Sequence, residues 1–361
     1  MTSLPRLSAE PCPPMSDRRR KAVTFTAPRT VEVVDEPLRS PGRGEVLVDT
    51  HLSGISPGTE RLVYQGRAPS DMEADSSLSA LGGRLDFPLQ YGYCAVGRVA
   101  DLGPEVDADW LGQRVFAFQP HVSAFVTGPD ALLALPDAVS DRAAVFLPNL
   151  ETAVNLVMDG RPMIGETVVV FGQGVVGLLT TALLARHPVD VYTVDPNPDR
   201  RELSLALGAT EAFASSDGDL PDALSSANNR RNDASARGAD LVYELSGRPT
   251  VLNDALRSAG FDTRIVVGSW YGTKRAPIQL GDRFHRSRID LISSQVSTIA
   301  PELRGRWTKE RRMNTVVQLL PHLPIAQLPT RSFPLSHAGD AYDRLVDQDE
   351  PMLQPVFVYP S

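Results

Sequence analysis

Three glycines and one aspartate have the types and spacing of a site that binds a dinucleotide. Gly172, Gly174 and Gly177 form the pattern G-x-G-x-x-G, and Asp195 follows at roughly the separation of about 20 residues that such sites require. The first glycine allows a tight turn, the second lets a pyrophosphate approach the backbone, and the third lets a helix pack closely on a strand. The acid accepts hydrogen bonds from the hydroxyls of the adenosine ribose.

The segments around these residues are those that the chemistry needs. Residues 168–171 are β-branched and aromatic, as in a buried strand, and residues 178–186 are apolar helix formers. Residues 189–194 predict a second strand that ends at the acid. The uncharged stretch 167–185 could also suggest a membrane span, but its glycines and Gln173 favour a buried strand and helix.

The remaining cofactor residues are predicted from the segment that contains the glycines and from the strands that follow it. Backbone N–H groups at the start of the helix, together with its dipole, favour a bound phosphate. The predicted set also includes residues at the ends of later strands, and its members besides the glycines and Asp195 are Val175, Val176, Arg200, Ser246, Gly268 and Ser269.

The acid at position 195 predicts NAD(H) rather than NADP(H). A carboxylate at the end of the second strand binds both ribose hydroxyls of NAD and repels the 2′-phosphate of NADP. Arg200 and Arg201 leave the second cofactor open, because a nearby arginine can receive that phosphate. They fall on the following helix, where exposure or pairing with Asp199 or Glu202 is the simpler interpretation.

Composition limits the other classes of function. A chain of 361 residues suits two domains, and its net charge of −8 argues against a nucleic-acid partner. Cys12 and Cys94 are too few for a disulfide framework or a Cys-rich metal lobe. Residues 1–21 lack the apolar stretch of a signal peptide, so we expect a disordered leader, a cytoplasmic protein and no membrane partner.

The order of elements predicts a β-rich first part followed by α/β alternation. Short strand-like runs with turn residues between them fill residues 22–137, except for a polar, glycine-bearing stretch at 67–84 that predicts a mobile loop. A helical pattern at 143–158 leads into the dinucleotide unit. The polar stretch 215–238 predicts a surface loop, and residues 353–359 predict a terminal strand.

Several motifs resemble the medium-chain dehydrogenase/reductase superfamily. They are Ser-Gly-Ile-Ser-Pro-Gly-Thr-Glu at 53–60, Gly-Tyr-Cys-Ala-Val-Gly-Arg-Val at 92–99, the dinucleotide unit, and the closing segment 333–342. The resemblance implies a GroES-like β-barrel catalytic domain (22–150 and 299–361) and a Rossmann doubly wound parallel-sheet domain (151–298). The segments 53–60 and 285–295 look most similar to the bacteriochlorophyllide hydroxyethyl dehydrogenase group.

The resemblance also implies where a catalytic zinc would bind. The family's ligand positions fall on Ser56, Tyr93 and Pro148, which bind zinc poorly or not at all. A site made of Cys94, His121 and Glu60 is an unfamiliar alternative. We therefore expect a member without zinc.

Without a metal, a side chain must give or take the hydroxyl proton during hydride transfer. Tyr93 stands at a ligand position of the family and is the first candidate, with simple filling of space as the alternative. Glu60 is a candidate base, directly or through Ser56 and Thr59, with a salt bridge to Arg61 or Arg84 as the alternative.

Further candidates open the helix that follows the barrel. The resemblance places Asn149 and Glu151 beside the nicotinamide, and the family's threonine at Thr152 packs on that ring. Asn149 and Glu151 could equally be N-capping residues. His121 and His285 are candidates because histidine as a residue type can act as an acid or base, but neither lies in a motif, so a structural histidine is the simpler interpretation.

Together these features predict an oxidoreductase that transfers a hydride between NAD(H) and a secondary alcohol or ketone. An NADPH-dependent quinone or enoyl reductase is the alternative among enzymes, and a nicotinamide-binding sensor or structural protein is the alternative from another class. The predicted last strand of the sheet, 289–296, has an unpaired edge. The resemblance implies that two such edges join, so we expect a homodimer.

Overall fold

The computed structural model describes residues 15–73, 79–230, 238–346 and 352–360. Its first part consists of short strands separated by turns, as the sequence predicts. These strands are β1 Met15–Ala27, β2 Thr30–Arg39, β3 Val46–Gly54, β4 Leu89–Gln90, β5 Ala95–Leu102, β6 Arg114–Ala117, β7 Ala124–Thr127 and β8 Leu133–Ala134. Three helices accompany them: α1 Thr59–Tyr64, α2 Asp141–Ala144 and α3 Leu147–Gly160.

The second part alternates strands and helices before the chain returns to the barrel. Its strands are β9 Thr167–Phe171, β10 Asp190–Val194, β11 Glu211–Phe213, β12 Ala239–Glu244, β13 Ala259–Val267, β14 Asp290–Ser293, β15 Thr330–Pro334 and β16 Gln354–Val358. Its helices are α4 Val175–Leu184, α5 Pro198–Ala206, α6 Asp219–Arg230, α7 Val251–Ser258, α8 Arg283–Arg286, α9 Lys309–Leu319 and α10 Ala338–Val346.

The barrel sheet joins both ends of the chain. Its strand order is β15-β16-β3-β5-β6-β8, with β7 paired to β3. The last strand, β16, runs antiparallel to β3, and Phe357 lies opposite Ser53. A smaller sheet of order β2-β1-β4 packs beside it. The predicted GroES-like architecture is therefore confirmed.

The second sheet is parallel throughout, with the order β11-β10-β9-β12-β13-β14. Counted along the chain this is 3-2-1-4-5-6, the Rossmann order. Every residue of β9 is buried, because helices cover both faces. Phe171 lies opposite both Val194 and Glu244, so three strands end at the same level. The turns that follow these strands therefore lie side by side.

One segment folds differently from its prediction. Within the stretch 215–238, which we predicted to be a surface loop, α6 occupies Asp219–Arg230. Leu220, Leu224 and Ala227 are buried in the core of the parallel sheet. Their spacing of three or four residues places them on one helical face, so burial of this face stabilises the helix despite its polar neighbours.

The predicted leader is also partly wrong. Residues 15–21 belong to β1, which pairs with β2, and Arg19 and Arg20 form ion pairs with Asp35 and Glu36. The rest of the leader, residues 1–14, lies outside the described residues. The predicted loop 67–84 also lies partly outside them, and it contains a short 3₁₀ helix at Ser79–Leu81.

The uncharged stretch 167–185 is divided between β9, the glycine turn and α4. Among the helices of the described residues, none combines the length and the apolar character needed to cross a membrane.

Candidate active site and cofactor cleft

The glycine turn has the three geometries that phosphate binding requires. Gly172 adopts φ +89°, in the left-handed region that favours glycine. A Cβ at Gly177 would lie 1.9 Å from the carbonyl oxygen of Gly172, so only glycine lets α4 pack this closely. A Cβ at Gly174 would meet nothing within 4 Å. Gly174 therefore faces open space at the start of a ten-residue helix, where a phosphate can approach the backbone.

Val175 and Val176 follow as the first helical residues, the former buried and the latter half-buried. Their N–H groups belong to the first turn of α4, which lacks partners within the helix. Both predicted residues thus lie where the sequence places them.

Asp195 is buried beside this turn. Its Oδ2 accepts a hydrogen bond from the backbone N–H of Gln173 at 2.7 Å, and its Oδ1 accepts one from Asn197 at 2.9 Å. Arg200 Nη1 lies 4.0 Å from Oδ2. The expectation that Arg200 is exposed or paired with Asp199 or Glu202 is therefore wrong for that residue, because it faces Asp195. Arg201 instead donates to the carbonyl oxygens of Asp195 and Pro196, each at 2.9 Å.

Ser246, Gly268 and Ser269 surround the end of β12. Ser246 N–H donates to Glu244 Oε1 at 2.9 Å, and Ser269 Oγ accepts from Gly247 N–H at 2.9 Å. A Cβ at Gly268 would lie 2.6 Å from Leu245 Cδ2, so a larger residue does not fit there without movement. The three predicted residues are thus neighbours in space.

Glu244 is a residue of this cleft that the sequence reasoning missed. Its carboxylate is fully buried and accepts hydrogen bonds from Ser246 and from the hydroxyl of Tyr271, the latter at 2.5 Å. Burial and the charge of Glu244 raise the pKa of Tyr271, so this hydroxyl remains a donor. The sequence signal that could have identified Glu244 is its position at the end of a predicted strand of the sheet that carries the glycine turn.

Tyr93 lies in the barrel domain, close enough to Ser56 and Thr59 for both side chains to influence its pKa. Its ring packs edge-on against Tyr91, with centroids 6.3 Å apart. Burial, followed by the charge of Glu60, raises the pKa of Tyr93 to about 12, while hydrogen bonds with Ser56 and Thr59 lower it. Thr59 N–H also donates to Ser56 Oγ at 3.2 Å. Three predicted residues therefore form one cluster, the hydroxyl cluster, consisting of Tyr93, Ser56 and Thr59.

Glu60 lies directly behind this cluster and is fully buried. Its Oε1 accepts from Ser56 N–H at 2.8 Å, and its Oε2 accepts from the hydroxyl of Tyr342 at 2.5 Å. The predicted alternative, a salt bridge to Arg61 or Arg84, is wrong. The partner of Glu60 is His121, whose Nε2 lies 2.8 Å from Oε2.

His121 extends this contact into a buried chain of side chains. Its Nδ1 is 2.6 Å from Ser53 Oγ, which in turn is 2.8 Å from the hydroxyl of Tyr359. A Cβ at Gly92 would lie 2.7 Å from His121 Nε2. The residue preceding Tyr93 must therefore be small. His121 is a structural residue of the site, as its isolated position in the sequence favoured, whereas His285 is exposed on α8.

The residues at the zinc positions do not suit that metal. Ser56 and Tyr93 offer neutral hydroxyls, and Pro148 has no donor atom in its side chain. The thiol of Cys94 donates to the carbonyl oxygen of Val145 at 3.3 Å, and burial raises its pKa to about 12. No group of three or more His, Cys, Asp or Glu side chains among the described residues is arranged to hold a metal ion. The donor set does not fit zinc.

Asn149 and Thr152 lie on the first two turns of α3. Asn149 Nδ2 donates to Gln354 Oε1 at 3.0 Å, and Gln354 Nε2 donates to the carbonyl oxygen of Ile55 at 2.9 Å. Asn149 is thereby connected to the residue before Ser56. Thr152 Oγ1 donates to the carbonyl oxygen of Pro148 at 3.0 Å.

Glu151 is bound by a residue of α9. It forms a buried ion pair with Arg312 on α9, at 2.8 Å between Oε1 and Nη2. Arg312 also contacts the amide oxygen of Asn155 and the carbonyl oxygens of Val296 and Thr298. These contacts give Glu151 a structural explanation. Capping does not apply to Asn149 or Glu151, because Phe146 occupies the N-cap of α3.

Comparison with known proteins agrees with this architecture. Residues 175–311 match the family model described as zinc-binding dehydrogenase. The matched segment contains the dinucleotide residues from Val175 onward and excludes Ser56, Tyr93 and Pro148. It therefore supports the dehydrogenase architecture without addressing the metal positions.

Whole-length similarity extends the match to both domains. The D-guloside 3-dehydrogenase of Escherichia coli (strain K12) is 23% identical over 343 residues, covering 91% of this chain and 96% of that protein. The alcohol dehydrogenase RspB of Escherichia coli CFT073, solved with NADH, has a TM-score of 0.72 at 19% identity, covering 94% of this chain and 99% of the other. A protein of Sinorhizobium meliloti 1021 solved with NADP has a TM-score of 0.73 at 18% identity, covering 95% and 100%. The solved structures show the fold, and the dehydrogenase relative supports a general oxidoreductase.

Proposed function

We propose that this protein is an NAD(H)-dependent oxidoreductase that interconverts a secondary alcohol and a ketone without a catalytic zinc. The observation that carries the proposal is the hydroxyl cluster. Three neutral hydroxyls, from Tyr93, Ser56 and Thr59, replace a metal-binding set in a barrel joined to a Rossmann sheet. Such a cluster can bind and protonate a carbonyl oxygen.

The cofactor would lie along the glycine turn. The open space at Gly174 and the N–H groups of Val175 and Val176 suit its phosphates, and Asp195 suits its ribose hydroxyls. When bound, a nicotinamide supplies or accepts the hydride. Asp195 supports NAD(H), because its carboxylate repels a 2′-phosphate.

Tyr93 would serve as the proton donor in the direction of ketone reduction. Because its pKa is raised to about 12, the phenol stays protonated at neutral pH. Its proton passes to the carbonyl oxygen as the carbon receives the hydride. The hydroxyls of Ser56 and Thr59 then stabilise the phenolate, since hydrogen bonds from both favour its charged form. The proton returns to Tyr93 from solvent.

The remaining side chains keep this arrangement in place. Glu60 fixes the backbone of Ser56, and Asn149 is linked through Gln354 to Ile55. All observed contacts of Glu60 lie within the protein interior. We therefore infer that Glu60 positions Ser56 and its neighbours and does not itself transfer a proton to the substrate. The similarity of residues 53–60 to the bacteriochlorophyllide hydroxyethyl dehydrogenase group supports a secondary alcohol as the substrate class.

The test is an activity screen with NADH and NADPH against secondary alcohols, ketones, quinones and enoyl compounds, combined with elemental analysis for zinc. We expect ketone reduction with NADH that survives chelation. Activity confined to quinones or enoyl compounds with NADPH would instead identify the other enzyme class. One zinc per chain, lost together with activity on chelation, contradicts the proposal.

A further inference from the structure

Five basic side chains gather at the cofactor cleft, and neither the glycine turn nor the hydroxyl cluster accounts for them. We call them the cationic cluster. They come from both domains: α1 and the turn after it supply two, and the Rossmann domain supplies three. The members are Arg61, Arg67, Arg200, Arg248 and Lys274.

Backbone contacts bring these segments together. The carbonyl oxygen of Arg67 accepts from Thr273 N–H at 2.9 Å, and a Cβ at Gly272 would lie 2.3 Å from that oxygen. The next residue, Lys274, donates through Nζ to the carbonyl oxygen of Gly247 at 2.7 Å. Arg248 follows directly. The backbone of Arg67 in the barrel therefore contacts the loop that carries Thr273 and Lys274. Lys274 in turn contacts Gly247, just after β12.

The same contacts connect the cluster to the glycine turn. A Cβ at Gly172 would lie 2.7 Å from the backbone of Leu245 and Ser246, the residues that precede Gly247 and Arg248. On the other side of the turn, Arg200 lies 4.0 Å from Asp195, which also binds Gln173 N–H. These contacts place the segments that carry Arg248 and Arg200 beside the glycine turn.

Acids do not neutralise this cluster. Among the described residues, the side chains of Arg61, Arg67 and Arg248 form no ion pair and no hydrogen bond. The acids beside the cluster are Asp195 and Glu244, and Glu244 already accepts from Ser246 and Tyr271. Five cations against two acids leave a local excess of positive charge in a chain whose net charge is −8.

This crowding lowers the pKa of two members. Burial, followed by the charges of Arg200, Arg248 and Arg67, lowers the pKa of Arg61. Burial, followed by Arg61, Arg67 and Arg248, lowers the pKa of Lys274. Mutual repulsion of this kind destabilises the protein without a ligand, and a bound anion relieves it.

We propose that the cationic cluster binds a phosphate group of the ligand, with Arg61 and Arg67 reaching it from the barrel domain and Arg248 and Lys274 from the Rossmann domain. This inference rests on the proposed function for its location in the cofactor cleft. A phosphate matches the excess charge, and the planar guanidinium groups of arginine bind two phosphate oxygens at once. It has two possible sources, the dinucleotide and a phosphorylated substrate, which share this chemistry.

Because the proposed site contains residues of both domains, ligand binding would also affect how the two domains associate. Arg61 and Arg67 belong to the barrel domain, and Arg248 belongs to the Rossmann domain. A phosphate between them would replace repulsion by attraction, so its binding would stabilise the contact between the two domains.

The experiment is isothermal titration of wild type, Arg61→Gln and Arg248→Gln with ADP-ribose, and then with inorganic phosphate in the presence of saturating NADH. Arg43→Gln is the matched control, because Arg43 is exposed and pairs with Glu105. Charge-assisted hydrogen bonds predict a loss of affinity of roughly 10- to 100-fold for each cluster variant and none for the control. Circular dichroism verifies that each variant is folded.

Weaker binding of ADP-ribose by both cluster variants supports the site and assigns the phosphate to the dinucleotide. Unchanged ADP-ribose binding with weaker inorganic phosphate binding supports the site and assigns it to the substrate. Affinities for both ligands within about twofold of the control, against the expected scale, overturn the inference. A wild-type protein that binds inorganic pyrophosphate through Arg61 and Arg248 but does not bind NADH would contradict the proposed function and leave the phosphate site standing.

Discussion

Glu60 Oε2 and His121 Nε2 lie 2.8 Å apart, and both side chains are fully buried. The contact connects the turn that carries Ser56 and Thr59 to the segment that carries Tyr93. Ser56 N–H donates to Glu60, and the His121 ring lies where a Cβ at Gly92 would come within 2.7 Å of Nε2. The position of the hydroxyl cluster therefore depends on a buried pair of side chains, Glu60 and His121.

Replacing Tyr93 by Phe should reduce the turnover of ketone reduction by roughly 100- to 10,000-fold, the usual contribution of a general acid. The affinity for NADH should remain within about twofold on the same scale. Steady-state kinetics and cofactor titration check both quantities. Tyr64→Phe is the matched control, since it removes a phenol hydroxyl that bonds Arg29 and Asp343 instead. A similar loss in the control would mean that Tyr93 acts only through stability.

Replacing Arg312 by Met should lower the free energy of unfolding by about 3–5 kcal/mol, because Glu151 is left as an unpaired buried charge. Adding Glu151→Gln to the same chain should recover part of this loss. Urea denaturation of the single and double variants gives both values. The double variant should also retain turnover. Complete loss of turnover in a folded double variant would return Glu151 to the catalytic candidates.

NADH should bind more tightly than NADPH. Asp195 is buried and already accepts two backbone hydrogen bonds, so it stays beside the ribose and repels an added phosphate. Fluorescence titration with both reduced cofactors measures the preference, and Asp195→Asn should diminish it. Tighter binding of NADPH by the wild type would mean that Arg200 and its neighbours outweigh the carboxylate.

Cys94 should be unreactive toward thiol reagents in the folded protein at pH 8. Burial raises the pKa of its thiol from 9.0 to about 12, so thiolate is scarce at that pH. The stabilising effect of the buried, neutral thiol is complete below pH 9 and is lost as the pH rises toward 12. Labelling a Cys12→Ser variant with a chromogenic disulfide, with and without urea, checks this. Equal rates in both conditions would contradict it.

The protein should be a homodimer joined through the free edge of β14. That strand ends the parallel sheet, and Leu291 on it is 40% exposed. An exposed strand edge readily pairs with a second copy. Light scattering should give a dimer mass for the wild type and a monomer mass for Leu291→Lys. Asp290→Lys tests whether charge alone has this effect, and a monomeric wild type at micromolar concentration would contradict the prediction.

The sequence predicted the parallel sheet and its glycine turn well because local signals coincide there. Strand, turn, helix and acid each have a distinct residue pattern, and their order agrees with the fold. The α6 helix was missed for the opposite reason. Its three buried apolar residues are diluted by Ser, Asp and Asn, so overall polarity concealed the periodicity.

The interior of the site was harder to predict because its contacts join distant parts of the chain. His121 pairs with Glu60 across 61 residues, and Tyr342 reaches the same carboxylate across 282. No local pattern marks His121, and the motif at 333–342 that contains Tyr342 does not indicate this contact. The segment resemblance placed Tyr93, Ser56 and Thr59 near one another, whereas the ion pair of Glu151 with Arg312 depends on how α9 docks on α3.

The position of β16 between β15 and β3 also constrains how the protein is made. A ribosome delivers β3 before the Rossmann unit and β16 after it, so the barrel sheet lacks one of its inner strands until residues 354–358 have been made. The Rossmann unit lies between them in the chain, and its strands are all available before that moment. We therefore expect partly synthesised chains to carry a formed nucleotide-binding half beside an unfinished barrel, and we expect β16 to complete the barrel sheet.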